Sequence, residues 1–490
     1  MSTMSVRPRR LHAPCLPLLV AAAGLALAPE ARASGLDAPM IGTGQSGPAN
    51  RDAAAVYWNP ANLGYLQKNE VILGAGLIIG DIRYQRNYMG VYQTPDTFQF
   101  KAPIDQDVVD TTKNGLQEEV KTNPIAPIGG AFFAFPAIRN RLVLGAGAYA
   151  PAAAALKFPK AGPQAWQVQE AFIIASNITG SAGLRINDYF SIGAGVSYVL
   201  GFAELSKLQD FAGVKEFGEG LANPPINQPN DFGPNAPSEV RELEVLSRPI
   251  SLKRAISHGV TFNAGISVNP TKKLQLGLTY QHSSNMNYKG RFAIDMNDPF
   301  FTHDLSAQGV QFKPLVTGDA VLRFKLPKRI TLGAGYDVSP KLRVDGFFSY
   351  IFYSEVKAFE VQTTSPDLAQ PALGIGETIN VNLARNWRNT IWIEGNVRYR
   401  PTDRLLLSGT LGYQNAASPD STIDTASPDG NRLIGAVGGV LQVSERVALL
   451  ADARLQGILP RKVTGSDFDL GNGTYKLFIA AIVGHLKFTF

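Results

Sequence analysis

The chain has 490 residues, 46 Lys and Arg against 40 Asp and Glu, a mean hydropathy near zero and one cysteine, Cys15. A formal surplus of +6 spread over that length is too weak and too dispersed for a nucleic-acid surface, and a single cysteine excludes a disulfide framework. A soluble chain of this size divides into about two or three domains, yet no composition shift marks a boundary and no long helical pattern occurs.

Residues 1–33 read as a secretory signal. Arg7, Arg9 and Arg10 form the charged start, Leu16 to Ala28 is an apolar run too short to span a bilayer, and Ala31-Arg32-Ala33 offers the small-x-small cleavage pattern. Its removal would take away four basic residues and one acidic residue, lowering the net charge from +6 to +3. It would also take away Cys15, so thiol chemistry is excluded from the mature chain.

Residues 34–70 follow, dense in Gly, Ala, Pro and Asn, with neither the strand period nor the helix period. Such a segment buries too little apolar surface to fold alone and reads first as a tail. It nevertheless carries Tyr57, Trp58 and Leu63 around Asn59-Pro60-Ala61. Strand-like segments begin directly after it, at Val71. A compact segment of small residues ahead of a long β-series suits a hatch inside a barrel.

From Val71 onward fourteen segments can be drawn as strands: roughly 71–82, 126–136, 141–150, 166–185, 189–203, 256–268, 273–288, 328–338, 341–353, 388–400, 404–414, 431–443, 446–458 and 475–490. Six connections are tight and polar, at 138–140, 187–188, 269–272, 339–341, 401–403 and 444–445. The others are longer, including 83–125, 204–255, 289–327 and 354–387. Alternating short turns and long loops is the pattern of an outer-membrane barrel, here residues 71–490.

Period-two alternation agrees. In 388–400, Ile391, Ile393, Val397 and Tyr399 share one face, with Trp392, Glu394, Asn396, Arg398 and Arg400 on the other. In 341–353, Leu342, Val344, Phe348, Tyr350 and Phe352 oppose Arg343, Asp345 and Ser349. A membrane barrel puts the first sets to lipid and the second to the lumen. The predicted fold is therefore all-β, a transmembrane antiparallel barrel of fourteen strands, placed in the outer membrane of a Gram-negative cell. The last strand, YKLFIAAIVGHLKFTF, puts Phe478, Ile482, Leu486, Phe488 and Phe490 on one face. It resembles the closing strand that the barrel assembly machinery recognises.

Gly42 to Gly47 followed by Tyr57-Trp58-Asn59-Pro60-Ala61 resembles the N-terminal hatch of the FadL-type (OMPP1/FadL/TodX) outer-membrane transporters of long-chain fatty acids and other hydrophobic compounds. LPKRITLGAGYDVSPKLRVDGFFSYIFYSEV (326–356), NWRNTIWIEGNVRYRPTDRLLLSGTLGYQ (386–414) and SPDGNR (427–432) are similar to later parts of that family. Two departures touch the outer mouth: 83–125 is long and polar, and 222–240 is rich in Pro and Asn. The resemblance implies passive uptake with the lipid bilayer and an apolar ligand as partners, and no cofactor.

Single residues then divide between two readings. Asn59-Pro60-Ala61 is a turn, or, as the resemblance implies, lies beside a kinked strand where the wall opens sideways. Gly145 and Gly147 ahead of Pro151 mark that strand. Between 204 and 222 Leu205, Leu208, Phe211, Ala212 and Phe217 recur at helical spacing. They predict a loop helix that packs on the rim or collects apolar ligands at the mouth. Lumen-facing Arg343, Arg398 and Arg454 either hold a charge network together with Asp345, Glu394 and Asp452 or receive a fatty-acid carboxylate.

Reactive groups are few. His258, His282, His303 and His485 have no metal-ligand spacing, and Asp420, Asp424 and Asp429 do not form a calcium loop. His282-Ser283-Ser284-Asn285 resembles the core of outer-membrane phospholipase A, with His282 and Ser284 expected on the lipid face. The glycine that follows in that family is absent here, and the chain is too long for it. The reading is a monomeric, non-enzymatic channel for hydrophobic molecules, most of all long-chain fatty acids. It has neither catalytic nor metal-binding residues, and its alternatives are a polar porin or a structural barrel.

Overall fold

Alternation of apolar and polar residues over long extended runs leaves each strand one face for lipid and one for an enclosed space. In a computed structural model, which describes residues 37–88, 91–93, 101–103, 115–210, 247–371, 375–467 and 469–490, fourteen antiparallel strands form one closed sheet. In chain order they are β1 (Glu70–Tyr88), β2 (Gly115–Thr122 and Ile125–Ile138), β3 (Leu142–Lys157), β4 (Glu170–Arg185), β5 (Phe190–Asp210), β6 (Ser247–Val268) and β7 (Leu274–Gln281 and Ser284–Asp295). The second half comprises β8 (Leu315–Leu326 and Arg329–Ser339), β9 (Leu342–Ile351 and Ala358–Thr364), β10 (Thr378–Ala384 and Thr390–Thr402), β11 (Leu405–Gln414), β12 (Arg432–Gln442), β13 (Val447–Val463) and β14 (Gly473–Thr489).

Each strand pairs with its sequence neighbours. β1 closes the ring on β14 in an unbroken ladder from Glu70↔Thr489 to Arg86↔Gly473. Closure is what hydrocarbon demands, because lipid offers no partner to an edge strand. The expected faces are as read: Ile393, Val397, Tyr399, Val344 and Phe348 are exposed to the outside, while Trp392, Glu394 and Ser349 are buried within. No helix among the described residues is long and apolar enough to cross a membrane.

The strands rise further above the membrane than the alternation suggested. Polar stretches at 83–88, 115–122, 247–255 and 289–295, expected as loop, extend β1, β2, β6 and β7. Conversely, 166–169 precedes β4 instead of opening it. The helix expected over 204–222 is not formed where the chain is described. Glu204–Asp210 continue β5, with Leu205 paired to Ala171 of β4 and Leu252 of β6 and Leu208 to Pro249. Ladder bonds on both sides outweigh a helical spacing of apolar residues, since propensity is a weak prior against tertiary pairing. Phe211 and Phe217 lie outside the described residues. The apolar packing at the outer end comes instead from the 296–314 connection, whose buried Phe301 and Phe312 join Tyr288, Phe292 and Phe324 of the wall.

Candidate functional site

Residues 37–69 run along the inner faces of the strands. Lacking a hydrophobic core of their own, they form one turn of α-helix (α1, Ala55–Trp58) and a 3-10 turn over Pro60–Tyr65. The barrel wall satisfies the backbone groups this leaves over. Asn263 Nδ2 donates to Val56 O (2.9 Å), Thr279 Oγ1 to Trp58 O (2.7 Å) and Gln281 Nε2 to Tyr57 O (2.9 Å). Burial pushes the Tyr57 phenol above its ordinary range, so it stays a neutral hydrogen-bonding group beside Arg329.

Asn59 explains its own motif. Extended (φ −162°) ahead of Pro60, it accepts at Oδ1 from Ala61 N (3.1 Å) and donates from Nδ2 to Pro48 O (3.2 Å) and Ile266 O (3.0 Å). Glycines 183, 193, 265 and 277 face this knot at distances that leave no room for a Cβ. The motif therefore docks on β4 to β7 near their turn ends. This corrects the expectation that it borders an opening in β3.

Gly145 and Gly147 are likewise not where the wall parts. Each is paired on both sides, Gly145 with Ala134 and Ser181, Gly147 with Phe132 and Thr179. Their bare Cα atoms make room for the inner segment: a Cβ on Gly145 would lie 2.7 Å from Val56 Cγ2 and 2.9 Å from Leu63 Cδ1. The ladder between β2 and β3 ends two pairs beyond Gly147, at Gly130↔Tyr149. Above it Ile125–Gly129 pair only with β1, and β3 shifts register against β4 between Tyr149 and Ala152, at Pro151. The inner segment replaces the missing partner there, with Ala38 N donating to Pro151 O (3.0 Å) and Asp37 bridged to Ala152. Asp37 is itself held by Arg329, by the Tyr353 hydroxyl (2.7 Å) and by Gln414.

The three lumen arginines serve the charge network. Arg343 donates to Asp337 (3.1 Å), Gln275 (2.7 Å) and Ala49 O (3.2 Å). Arg398 binds Asp345 (2.5 Å), Gln45 O (2.8 Å) and Asn50, and Arg454 pairs with Glu394 through both carboxylate oxygens. Asp452 accepts from Gly44 N (3.0 Å). Two of the three arginines thus tie the inner segment to the wall.

The hydrolase-like run does not assemble. β7 breaks between Gln281 and Ser284, which turns Ser284 inward, where its hydroxyl meets Met286 Sδ at 3.6 Å. His282 stays outside, stacked on Phe262 at 4.7 Å and bonded to the Tyr280 hydroxyl (2.7 Å). Among the described residues no group of three or more His, Cys, Asp or Glu could hold a metal.

A barrel closed around its own N-terminal segment, with the wall parted beside that segment, is a geometry with relatives. A family profile described as outer membrane protein transport protein (OMPP1/FadL/TodX) matches residues 15–467. The chain belongs to this family. It is an outer-membrane β-barrel of that family. Curated long-chain fatty acid transport proteins of Shigella flexneri and Escherichia coli O157:H7 are 24% and 25% identical over 201 residues, 39% of this chain and 42% of theirs. The chain thus spans less than half the length of these relatives. A Pseudomonas aeruginosa FadL homologue has the same fold at a TM-score of 0.71 and 17% identity, over 93% of this chain and 99% of that one. The CymD monoaromatic hydrocarbon channel superposes at 0.59 and 17% identity, over 93% and 98%.

Within this FadL/TodX-family barrel, the sequence named Trp58 in the hatch and Trp392 on a lumen-facing strand, but not Phe347, which meets both. A cavity of about 50 Å³ is lined by Trp58, Phe347 and Trp392, whose rings stand 4.9 to 6.1 Å apart, together with Asp345, Glu394, Arg398 and Arg454. Both indole N–H groups are occupied, Trp58 by Ile41 O (2.9 Å) and Trp392 by Glu394 (2.7 Å), so the rings offer only apolar faces inward. Met40 and Ile41 separate it from a small cavity of about 10 Å³ at the parted seam, lined by Ile128, Gly129, Phe132, Tyr149 and Ala150. The signal for the aromatic group lay in Trp and Phe at lumen-facing positions, where a water-filled channel would place polar residues.

Proposed function

We propose that the protein takes up long-chain fatty acids and similar apolar molecules by downhill diffusion and releases them sideways between β2 and β3. The observation that carries this reading is the seam: pairing stops at Gly130↔Tyr149, and an apolar cavity lies against the unpaired stretch. Residues 34–70 act as a hatch that fills the lumen, which a polar porin has no use for. Bonds from Asp37 and Ala38 let the wall stay parted, because lipid cannot satisfy unpaired backbone groups.

Energetics favours the side exit. Burying a methylene is worth about 0.8 kcal/mol, so releasing a long acyl chain into periplasmic water costs on the order of 10 kcal/mol, whereas passing into the bilayer avoids that cost. Fatty acids are supported as substrate by the curated relatives, which are long-chain fatty acid transport proteins. Aromatic hydrocarbons are a second reading, favoured by the ring-walled cavity at Trp58, Phe347 and Trp392, since aromatic pairs gain beyond their area. The paired state of Arg343, Arg398 and Arg454 argues that none of them is the fatty-acid carboxylate's resting partner.

Substituting Ala150→Trp fills the cavity at the seam. Oleate uptake should fall to the rate of cells lacking the protein, with surface expression and heat-dependent gel mobility unchanged. Uptake at the wild-type rate in that variant would mean an axial exit.

A further inference from the structure

The wall is interrupted a second time, between β6 and β7. The lower piece of β7 pairs with β6 as far as Gln281↔Asn263, and the upper piece resumes pairing at Lys289↔Ile256. Over residues 257–262 and 282–288 no ladder pair joins the two strands. The bonds that cross are one backbone contact, His282 N to Phe262 O (2.9 Å), and three hydroxyl contacts, Thr261 Oγ1 to His282 O (2.8 Å) and to Ser283 O (3.5 Å) and Asn287 N to Ser257 Oγ (2.8 Å).

The height of this seam follows from strand geometry. Ten residues separate His258 from the end of β6 at Val268, a climb of about 25 Å for a strand tilted by about 40°, and the apolar band of such barrels is about that tall. The seam therefore runs from the middle of the band to its outer edge, facing the outer leaflet. Val260 and Val196, 68% and 61% exposed, flank it on the lipid side. Its lips are rings: Phe262 stacked on His282, and Tyr198 hydrogen-bonded to His258. Amphipathic rings of this kind favour the membrane interface.

Behind the seam lies a cavity of about 80 Å³ that reaches from the lumen, at Tyr57, Arg329 and Tyr353, to Thr261, Phe262, His282 and Ser284. Asn263, 5% exposed, lines it with a buried Oδ1 that has no hydrogen-bond partner. A closed wall has no reason to leave hydroxyl bridges where the ladder should be, with a cavity behind them.

We propose that this seam is a second side passage, through which apolar molecules dissolved in the outer leaflet enter the lumen. It rests on the reading of the protein as a channel for apolar molecules and adds a source: the leaflet rather than the water outside. Sparingly soluble compounds gather in that leaflet, and a door at its level spares them the return to water.

The test is a reversible staple. A Cβ at Gly259 would lie 2.9 Å from Ser284 Oγ, close to the spacing from a Cβ to the far sulfur of a disulfide, and Cys15 is the single native cysteine. Gly259→Cys with Ser284→Cys is placed in vesicles with a lipopolysaccharide outer leaflet. Diazirine-labelled oleate is supplied either preloaded in that leaflet or on albumin in water. Adducts on Tyr353 are then mapped by mass spectrometry. In the oxidised pair the leaflet-supplied label on Tyr353 should be lost and the water-supplied label retained, with reductant restoring the first. Leaflet-supplied labelling that persists with the staple complete overturns the proposal, as does equal loss of both labels. No lumen adduct in the wild type from either source would overturn the channel reading, and this proposal with it. Should the pair fail to give a heat-modifiable band, Gly259→Phe fills the same space and is read the same way.

Discussion

Two seams of one wall behave differently. Between β14 and β1 every residue from Glu70 to Arg86 has a ladder partner. Between β2 and β3 the partners stop at Gly130↔Tyr149, and Asp37 and Ala38 of the inner segment serve Pro151 and Ala152. The first seam can face lipid anywhere along its length, because no backbone group is left over. The second depends on a segment that is not part of the wall. The difference shows that where the ladder stops in a membrane wall, other groups of the chain have to supply the hydrogen bonds.

The sharpest way to break this comparison is at Asp37. Removing its carboxylate in Asp37→Ala leaves Arg329 without its charge partner, and breaking a buried pair costs about 3–5 kcal/mol. Amide exchange at Ala152 and Ala153 should accelerate, while β14–β1 amides keep their protection. A smaller effect is expected at Gly265→Val, whose side chain would overlap Asn59 Oδ1. Overpacking of about 1–3 kcal/mol should loosen the Asn59 knot and raise ion conductance in planar bilayers, with the closed sheet intact. Smallest of all, Ser284→Ala should shift stability by less than about 0.5 kcal/mol. It should leave oleate uptake unchanged, and no fatty acid should be released from phospholipid vesicles by either protein.

Much of the wall was legible because its signal is local. Ile393, Glu394, Val397 and Arg398 announce their faces by alternation alone, and the short turns announce the topology. Strand length was not legible, since β2 above the membrane reads GLQEEVKT, which carries no apolar alternation. Leu205 and Leu208 misled for a related reason: their spacing suits a helix, but their partners in β4 and β6 are far away in sequence. The same holds at the seams. Gly145, Gly147 and Pro151 pointed to β3, yet both glycines are paired on both sides, and which residue loses its partner is a statement about β2. His282-Ser283-Ser284 did mark an irregular place in β7, where polar residues interrupt a lipid-facing run. Its meaning became visible only against Ser257 and Thr261 of β6. Arg343, Arg398 and Arg454 were legible as lumen residues and as partners of carboxylates such as Glu394, but Arg343 and Arg398 were not legible as ties to Ala49 and Gln45.

The central claim is that apolar cargo leaves between β2 and β3. A structure determined in a lipid nanodisc with oleate bound tests it most directly. Acyl density should pass Met40 and Ile41 and emerge beside Ile128 and Ala150 into the bilayer. Density that instead descends past Pro48 and Arg51 to the turn end of the barrel would contradict the account.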